Sequence, residues 1–253
     1  MLIGFNMPEV QSVSLVGGTW LTADAGRAMF DGKPTRKTRI NRTGALSINI
    51  TFASAIVPGI IALLGLNLPA GISVSAAGAS GQTVRLPDGS VCAWLFPTGT
   101  AAISSVAVQI TTAVTAVEVG EIAMFRALEV GISDGWNVSR TDATLHSRTK
   151  GGQLNSVEGA VYRRLTAQLS ARPSVQVWGG SLAGMDWDGI FSALLQGRRG
   201  CVVPRYRESK SAPLDPAIAA LSAIYGTAVN GWSADNVSGQ YYAGLLEFEE
   251  VPA

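Results

Sequence analysis

Apolar and polar positions alternate with a period of two through much of the first half of the chain. Leu46, Ile48, Ile50 and Phe52 alternate with Ser, Asn and Thr within Gly44–Phe52, and Val106, Val108 and Ile110 do the same within Ala102–Ile110. That period sends one face of a strand to a core and the other outside. Two further β-branched runs, Gly71–Ser75 and Val91–Phe96, lie between turn signals such as Pro87-Asp88-Gly89. Short strands with Gly/Pro turns at roughly ten-residue spacing predict an antiparallel β-sandwich over residues 1–130. Phe52–Ile72 is apolar and uncharged over about the length that crosses a bilayer. Pro58-Gly59 and Asn67-Leu68-Pro69 interrupt it and no basic flank follows, which predicts a buried segment with a short helix or turn at Ile60–Leu66 rather than a membrane span.

The pattern changes at Gly131–Trp136. Residues 131–253 predict an α+β domain, a β-sheet with one or two short helices, so that the whole chain is mainly β. Strand-type runs are Ala160–Leu169, Val175–Gly179, Cys201–Val203 and Tyr241–Glu250. Asp186 is a helix N-cap candidate for Asp186–Gln196, whose apolar face is Trp187, Ile190, Phe191, Leu194 and Leu195, with Gly197 as the stop and Arg198-Arg199 at the negative end. Asp215-Pro216 opens a second helical stretch, Ala217–Ile224, with proline at its first position. Trp187, Phe191 and Leu194 are the expected core and assembly residues of this domain.

Composition narrows the chemistry. Charged residues make up 15% of the chain, well below the usual quarter. None lies between Arg42 and Arg85 or from Gly89 to Val117, and there is one histidine. Acid–base catalysis, metal binding and nucleic-acid clamping need clustered titratable groups, so no enzyme activity, cofactor, metal or specific nucleic-acid binding is expected. The net charge of +1 gives no global pull toward polyanions. Cys92 and Cys201 are far apart in sequence and read as buried small apolar residues in a reducing compartment. The first ten residues, MLIGFNMPEV, carry neither the basic nor the apolar region of a secretion signal.

The individual candidates point the same way. His146 has Asp142 four residues earlier but no visible nucleophile, which suits a surface or turn histidine. Asp186 and Asp188 resemble the start of a calcium loop, yet Phe, Ser, Ala and Leu stand where later ligands belong. Glu118, Glu121 and Glu129 are close in sequence, which says nothing of the carboxyl separation a glycosidase needs. Lys33, Arg36, Lys37, Arg39 and Arg42 form a basic run without interleaved aromatics, read as a solvated edge or subunit contact. Among the six tryptophans Trp94 is expected in the core, whereas Trp20, Trp136 and Trp232 follow turn signals and are the candidates for exposure. Trp20, Lys33, Arg36, Lys37 and Trp136 are therefore the candidate glycan contacts.

Several short motifs carry a family resemblance. Ile60–Leu68, Val91–Phe96 and Val119–Phe125 look like the apolar segment, Asn-Leu step and closing Gly-Glu-Ile strand of a carbohydrate-binding-like jelly roll. Ser147–Gly152, Tyr162–Thr166, Asp186–Gln196, Gly200–Pro204 and Leu245–Glu250 fit a strand–strand–helix–strand ring-building module. Together they resemble the distal-tail and baseplate-hub proteins at the tail tip of long-tailed bacteriophages (siphovirus-type tails). The resemblance implies a minor structural component of the virion tail tip, made in the bacterial cytoplasm. It implies a trimeric or hexameric ring of its own copies that contacts the tail tube, hub and fibres. The sequence departs from sugar-binding jelly rolls in its uncharged first half, which leaves that module as scaffold or spacer. The alternative is a receptor-binding module that holds a host-surface glycan.

Overall fold

The computed structural model describes residues 1–22, 25–180, 185–229 and 233–252. The first half contains β1 (Leu2–Phe5), β2 (Val10–Trp20), a 3-10 turn (Ala25–Phe30), β3 (Thr38–Ile56), β4 (Ile60–Leu64), β5 (Ser73–Ala76), β6 (Ala79–Gln82), β7 (Val84–Arg85), β8 (Val91–Leu95), β9 (Ile103–Thr111), β10 (Ala116–Val119) and β11 (Glu121–Glu129). The second contains β12 (Ile132–Asp142), β13 (Leu145–Arg148), β14 (Leu154–Val157), β15 (Val161–Pro173), α1 (Ser174–Trp178), α2 (Trp187–Ser192), β16 (Gly200–Val203), α3 (Pro216–Ser222), β17 (Ile224–Ala228), β18 (Asp235–Ser238) and β19 (Tyr241–Glu250). The fold is mainly β with antiparallel sheets, as the alternation predicts.

An eleven-stranded sheet runs β12-β15-β19-β17-β16-β1-β11-β4-β8-β7, with β18 also on β19, and a six-stranded sheet runs β10-β3-β9-β5-β6, with β2 on β3. The long sheet crosses the 130/131 boundary without a break. Its continuity depends on β1, which pairs with β11 on one side (Ile3 opposite Leu128) and with β16 on the other (Ile3 opposite Val202).

The pleat of the long sheet sorts the core into three clusters. Ile61, Leu63, Leu95, Ile122 and Met124 turn one face toward Ile48, Ile50, Val108 and Ile110 of the six-stranded sheet, which forms the sandwich. Farther along the same face, Ile3, Phe5, Val202, Leu165 and Phe248 pack on Trp187, Phe191 and Leu194. The even-numbered residues of β11 belong to both regions, Ile122 and Met124 to the first and Leu128 to the second. The opposite face, with Ala62, Trp94, Phe125, Cys201 and Tyr225, packs on Ala219, Ala220 and Ala223 of α3 and its exit. Both cysteines are free and buried there, and burial pushes the Cys92 thiol up to about 11.

Helix ends follow the capping signals. The Asp186 side chain accepts from the Gly189 N–H at 2.7 Å, and Asp215 accepts from those of Ala217 and Ile218 at 2.8 and 3.2 Å. Helix α2 stops at Ser192, short of Gln196, and the chain turns with positive φ at Gln196 and Gly197. Helix α3 stops at Ser222 because Ile224 already pairs with Val202.

Two expectations are corrected. Ile60–Leu66 is not a helix: Ile60–Leu64 is strand β4, held between β11 and β8 and buried at every position. A short apolar run buried on both faces has no alternation to distinguish it from a buried helix. Val175–Gly179 is not a strand, because Ser174–Trp178 forms α1. Its β-branched valines suggest extension, but Val175 and Trp178, three apart, face outward while Val177 enters the core, which is helical spacing. Among the described residues no helix is long and apolar enough to cross a membrane.

Gly4 marks the tightest point of the central pairing, where a Cβ would lie 2.4 Å from Cys201 Sγ and 3.0 Å from Phe125 Cβ. Gly4→Ala is expected to lower stability by about 1–3 kcal/mol through overpacking, read as a lower urea midpoint. Because one sheet spans both halves, tryptophan fluorescence and far-ultraviolet circular dichroism should report a single coincident transition. Two separated transitions would show that the halves unfold independently.

Candidate functional site

A groove of about 360 Å³ is lined by Trp136, Val138 and Arg140 of β12, Val161, Tyr162 and Arg163 of β15, the Leu86–Asp88 turn, Leu221 and Ser222 of α3, and Glu250. β12 and β7 are opposite ends of the long sheet, yet the turn that follows β7 lies beside β12. The sheet therefore bends enough to bring its two ends together beside the exit of α3, and residues more than forty positions apart meet.

A committed ion pair forms part of the groove wall. Arg163 donates to Glu250 from Nε at 2.9 Å and also from Nη2, and its backbone N–H donates to the same carboxylate at 2.9 Å. Its Nη2 also donates to the Ala223 carbonyl at 2.8 Å. Both side chains are only 14% exposed, so their donors and acceptors are spent on holding β15, β19 and the end of α3 together. Asp88 differs. Its Oδ1 accepts from the N–H and hydroxyl of Ser90 at 3.0 and 2.7 Å. Burial works against its charge, but the Ser90 bonds and the nearby Arg163 and Arg140 hold its carboxyl below the usual range.

Of the candidate glycan contacts, only Trp136 lines this groove, and it is 42% exposed. Trp20 is half-buried against the sandwich core, with its ring close over Gly26. Lys33, Arg36 and Lys37 are exposed on the loop before β3, where Arg36 pairs with Asp31 at 3.3 Å. Arg42 is spent on the carbonyls of Val114, Gly44 and Ala113. Lys33, Arg36 and Lys37 thus stand on a solvated loop, Arg39 and Arg42 belong to β3, and none of the five lines the groove. Trp94 is buried, as expected, and Trp232 lies outside the described residues. Trp187, Phe191 and Leu194 are buried together, the two rings edge to face at 6.1 Å.

Sequence reasoning missed Arg140, Tyr162 and Asp88 as groove residues. The alternation Trp136-x-Val138-x-Arg140 is a legible signal that three of the lining residues share one side of a strand. Asp88 read only as a turn former.

Other constellations do not assemble. His146 Nδ1 meets Ser156 Oγ at 2.8 Å as a cross-strand pair of the β13–β14 hairpin, exposed on both sides. Asp142 caps the Thr144 N–H at 2.8 Å. Glu121 and Glu129 stand at opposite ends of β11, about 27 Å apart at the rise of a strand, against the roughly 5–10 Å that glycoside hydrolysis uses. Among the described residues no group of three or more His, Cys, Asp or Glu side chains is placed to hold a metal.

Glu121 is fully buried. Its Oε2 accepts from the Gly32 N–H at 2.9 Å, Oε1 makes no hydrogen bond of ordinary geometry, and the Tyr225 hydroxyl and the Lys33 N–H stand near the carboxylate. Burial pushes its carboxyl up to about 8; the Gly32 bond opposes that shift and the charge of Asp31 adds to it. The loop sits tightly here, since a Cβ on Gly120 would lie 1.9 Å from the Pro34 carbonyl oxygen. Between about 4.5 and 8 the folded state holds a proton that the unfolded state has lost, so stability from this group falls as pH rises through that window. Glu121→Gln is expected to reduce the loss of melting temperature between pH 5 and about pH 8.5. Equal losses in the two proteins would place the carboxyl at its ordinary pKa.

Comparisons with protein-family models, curated proteins and solved structures return no match for this chain.

Proposed function

We propose that the chain is a structural subunit of a bacteriophage tail tip or baseplate, assembling into a trimeric or hexameric ring through its second half and contacting tail tube, hub and fibre proteins. The observation that carries the assembly part is the distribution of exposed apolar side chains. Val16, Leu21 and Val57 are the exposed large apolar residues among the described residues up to Val130, whereas Trp136, Leu145, Leu154, Val157, Val161, Val175, Trp178, Leu221, Val229, Val237, Tyr241 and Leu245 follow it. The β13–β14 hairpin concentrates them. All eight of its strand residues are exposed, with Leu145 at 71%, opposite Val157 at 67%. An isolated two-stranded hairpin is marginal in water, and apolar arms of this kind gain stability when a neighbour covers them. The low charge of the surface lets copies approach with little repulsion. Assignment of the ring to a phage tail rests on the sequence motifs.

Sedimentation velocity on the purified chain is expected to give a closed oligomer, and negative-stain images a ring. The double variant Leu145→Glu/Val157→Glu should shift it to monomers with little change in melting temperature, because both side chains are exposed. A wild-type monomer at tens of micromolar, or a variant that sediments like the wild type, would sink the hairpin-mediated ring. Antibody label at the far ends of tails would support the tail location, and intact tailed particles without label would remove it.

A further inference from the structure

The groove at β12 sets polar side chains beside the exposed Trp136, Val161 and Leu221. Its polar atoms fall into two sets. Those of Arg163 and Glu250 are saturated by each other and by the carbonyls of Leu221 and Ala223. The second set is open: among the described residues the Trp136 indole N–H, the Tyr162 hydroxyl and the Arg140 guanidinium make no hydrogen bond, and Asp88 uses only Oδ1. A partly exposed indole thus lines the same groove as a planar donor and a planar acceptor. Ligand pockets take this form, with an apolar wall and a few placed polar groups that fix orientation.

Charge narrows the ligand. Arg163 is matched by Glu250 in an ion pair, and Arg140 by Asp88 electrostatically, so the lining carries no net charge and attracts neither anions nor cations. A ligand that fits has a weakly polar flat face for the indole and neighbouring hydroxyls that both donate and accept. A pyranose ring offers this: axial C–H groups on one face and hydroxyls around its rim. About 360 Å³ suits one or two such rings.

We propose that the groove binds a neutral saccharide, with one pyranose ring stacked on Trp136 and adjacent hydroxyls held by Arg140 and the free oxygen of Asp88. Tyr162 supplies the second rim contact. The buried Arg163–Glu250 pair keeps β15 and α3 fixed beneath the ring, so the site is preorganised and loses little freedom on binding. The sugar is either a free oligosaccharide or a segment of a surface polysaccharide, and the chemistry of recognition is the same for both.

The test is isothermal titration of the full chain with chitotriose and maltotriose, with a sialylated trisaccharide as the acidic control, preceded by an array of neutral and acidic glycans to choose further probes. At least one neutral glycan should bind, with Trp136→Ala weakening it by about tenfold or more and Trp136→Phe by less. Arg140→Ala and Asp88→Asn should each weaken binding, while Trp20→Ala and Lys33→Ala leave it unchanged. All the groove side chains substituted here are exposed, and unchanged melting temperatures will show that the variants fold. Tighter binding of purified polysaccharide than of the matching free trisaccharide would assign the source to a surface polymer, and equal binding to free oligosaccharide. No binding to any neutral glycan overturns the proposal, as does binding that survives Trp136→Ala. Acidic-only binding lost in Lys33→Ala would move recognition to the basic loop. No sugar binding together with altered sedimentation of Trp136→Ala would assign the groove to a contact between copies of the chain.

Discussion

Everything in this molecule depends on the insertion of Leu2–Phe5 between two strands that lie more than seventy residues apart in sequence. Remove that pairing and the long sheet separates into a sandwich half and a helix-covered half. With it, β11 becomes shared ground, its even-numbered side chains serving the sandwich at one end and the Trp187 cluster at the other. The join is possible because Gly4 has no side chain, which lets Cys201 and Phe125 close over the strand. A four-residue strand contributes few hydrogen bonds of its own. Its weight comes from burial on both faces, where Ile3 and Phe5 enter one core and Leu2 another.

The bend of that sheet, which brings its two ends together at the exit of α3, creates the groove. α3 is short and small-sided, with Ala219, Ala220 and Ala223 against the sheet, so the strands can approach it closely. This brings the turn after β7 to the strand at the opposite end of the sheet. The Arg163–Glu250 pair then ties β15 and β19 to the carbonyls at the exit of α3. Removing one partner from such a buried pair leaves the other uncompensated, so the same interaction that holds the wall also fixes where Tyr162 stands.

The sequence was legible where one physical signal acted alone. Leu46 to Phe52 and Val106 to Ile110 have one buried face, and their alternation marks strands whose inward residues are those expected. Asp186 and Asp215 mark helix starts because an N-cap is a local hydrogen-bond device. Tyr241–Glu250 is a strand from its first residue to its last. The signal failed where tertiary structure decided. Ile60–Leu64 is buried on both sides and therefore has no periodicity to read. Val175 and Val177 carry strand propensity, but the chain turns at Pro173 and the local packing needs only one of them inside. The groove was half legible: Trp136 was a candidate, while its meeting with Asp88 depends on the path of the eight strands between β12 and β7.

Edge strands constrain how assembly and ligand binding share one surface. β12 is an eleven-residue strand at the end of the long sheet, with a neighbouring strand on one side only among the described residues. Such an edge invites pairing with another chain unless it is blunted. β12 has a register shift between Ile132 and Trp136 and charged residues at Arg140 and Asp142, both of which discourage indiscriminate addition of a strand. Pairing along an edge runs in the plane of the sheet, through backbone groups. The groove uses side chains that stand out of that plane. A neighbouring copy that covers the β13–β14 hairpin therefore need not fill the groove, and a sugar on Trp136 need not break the ring.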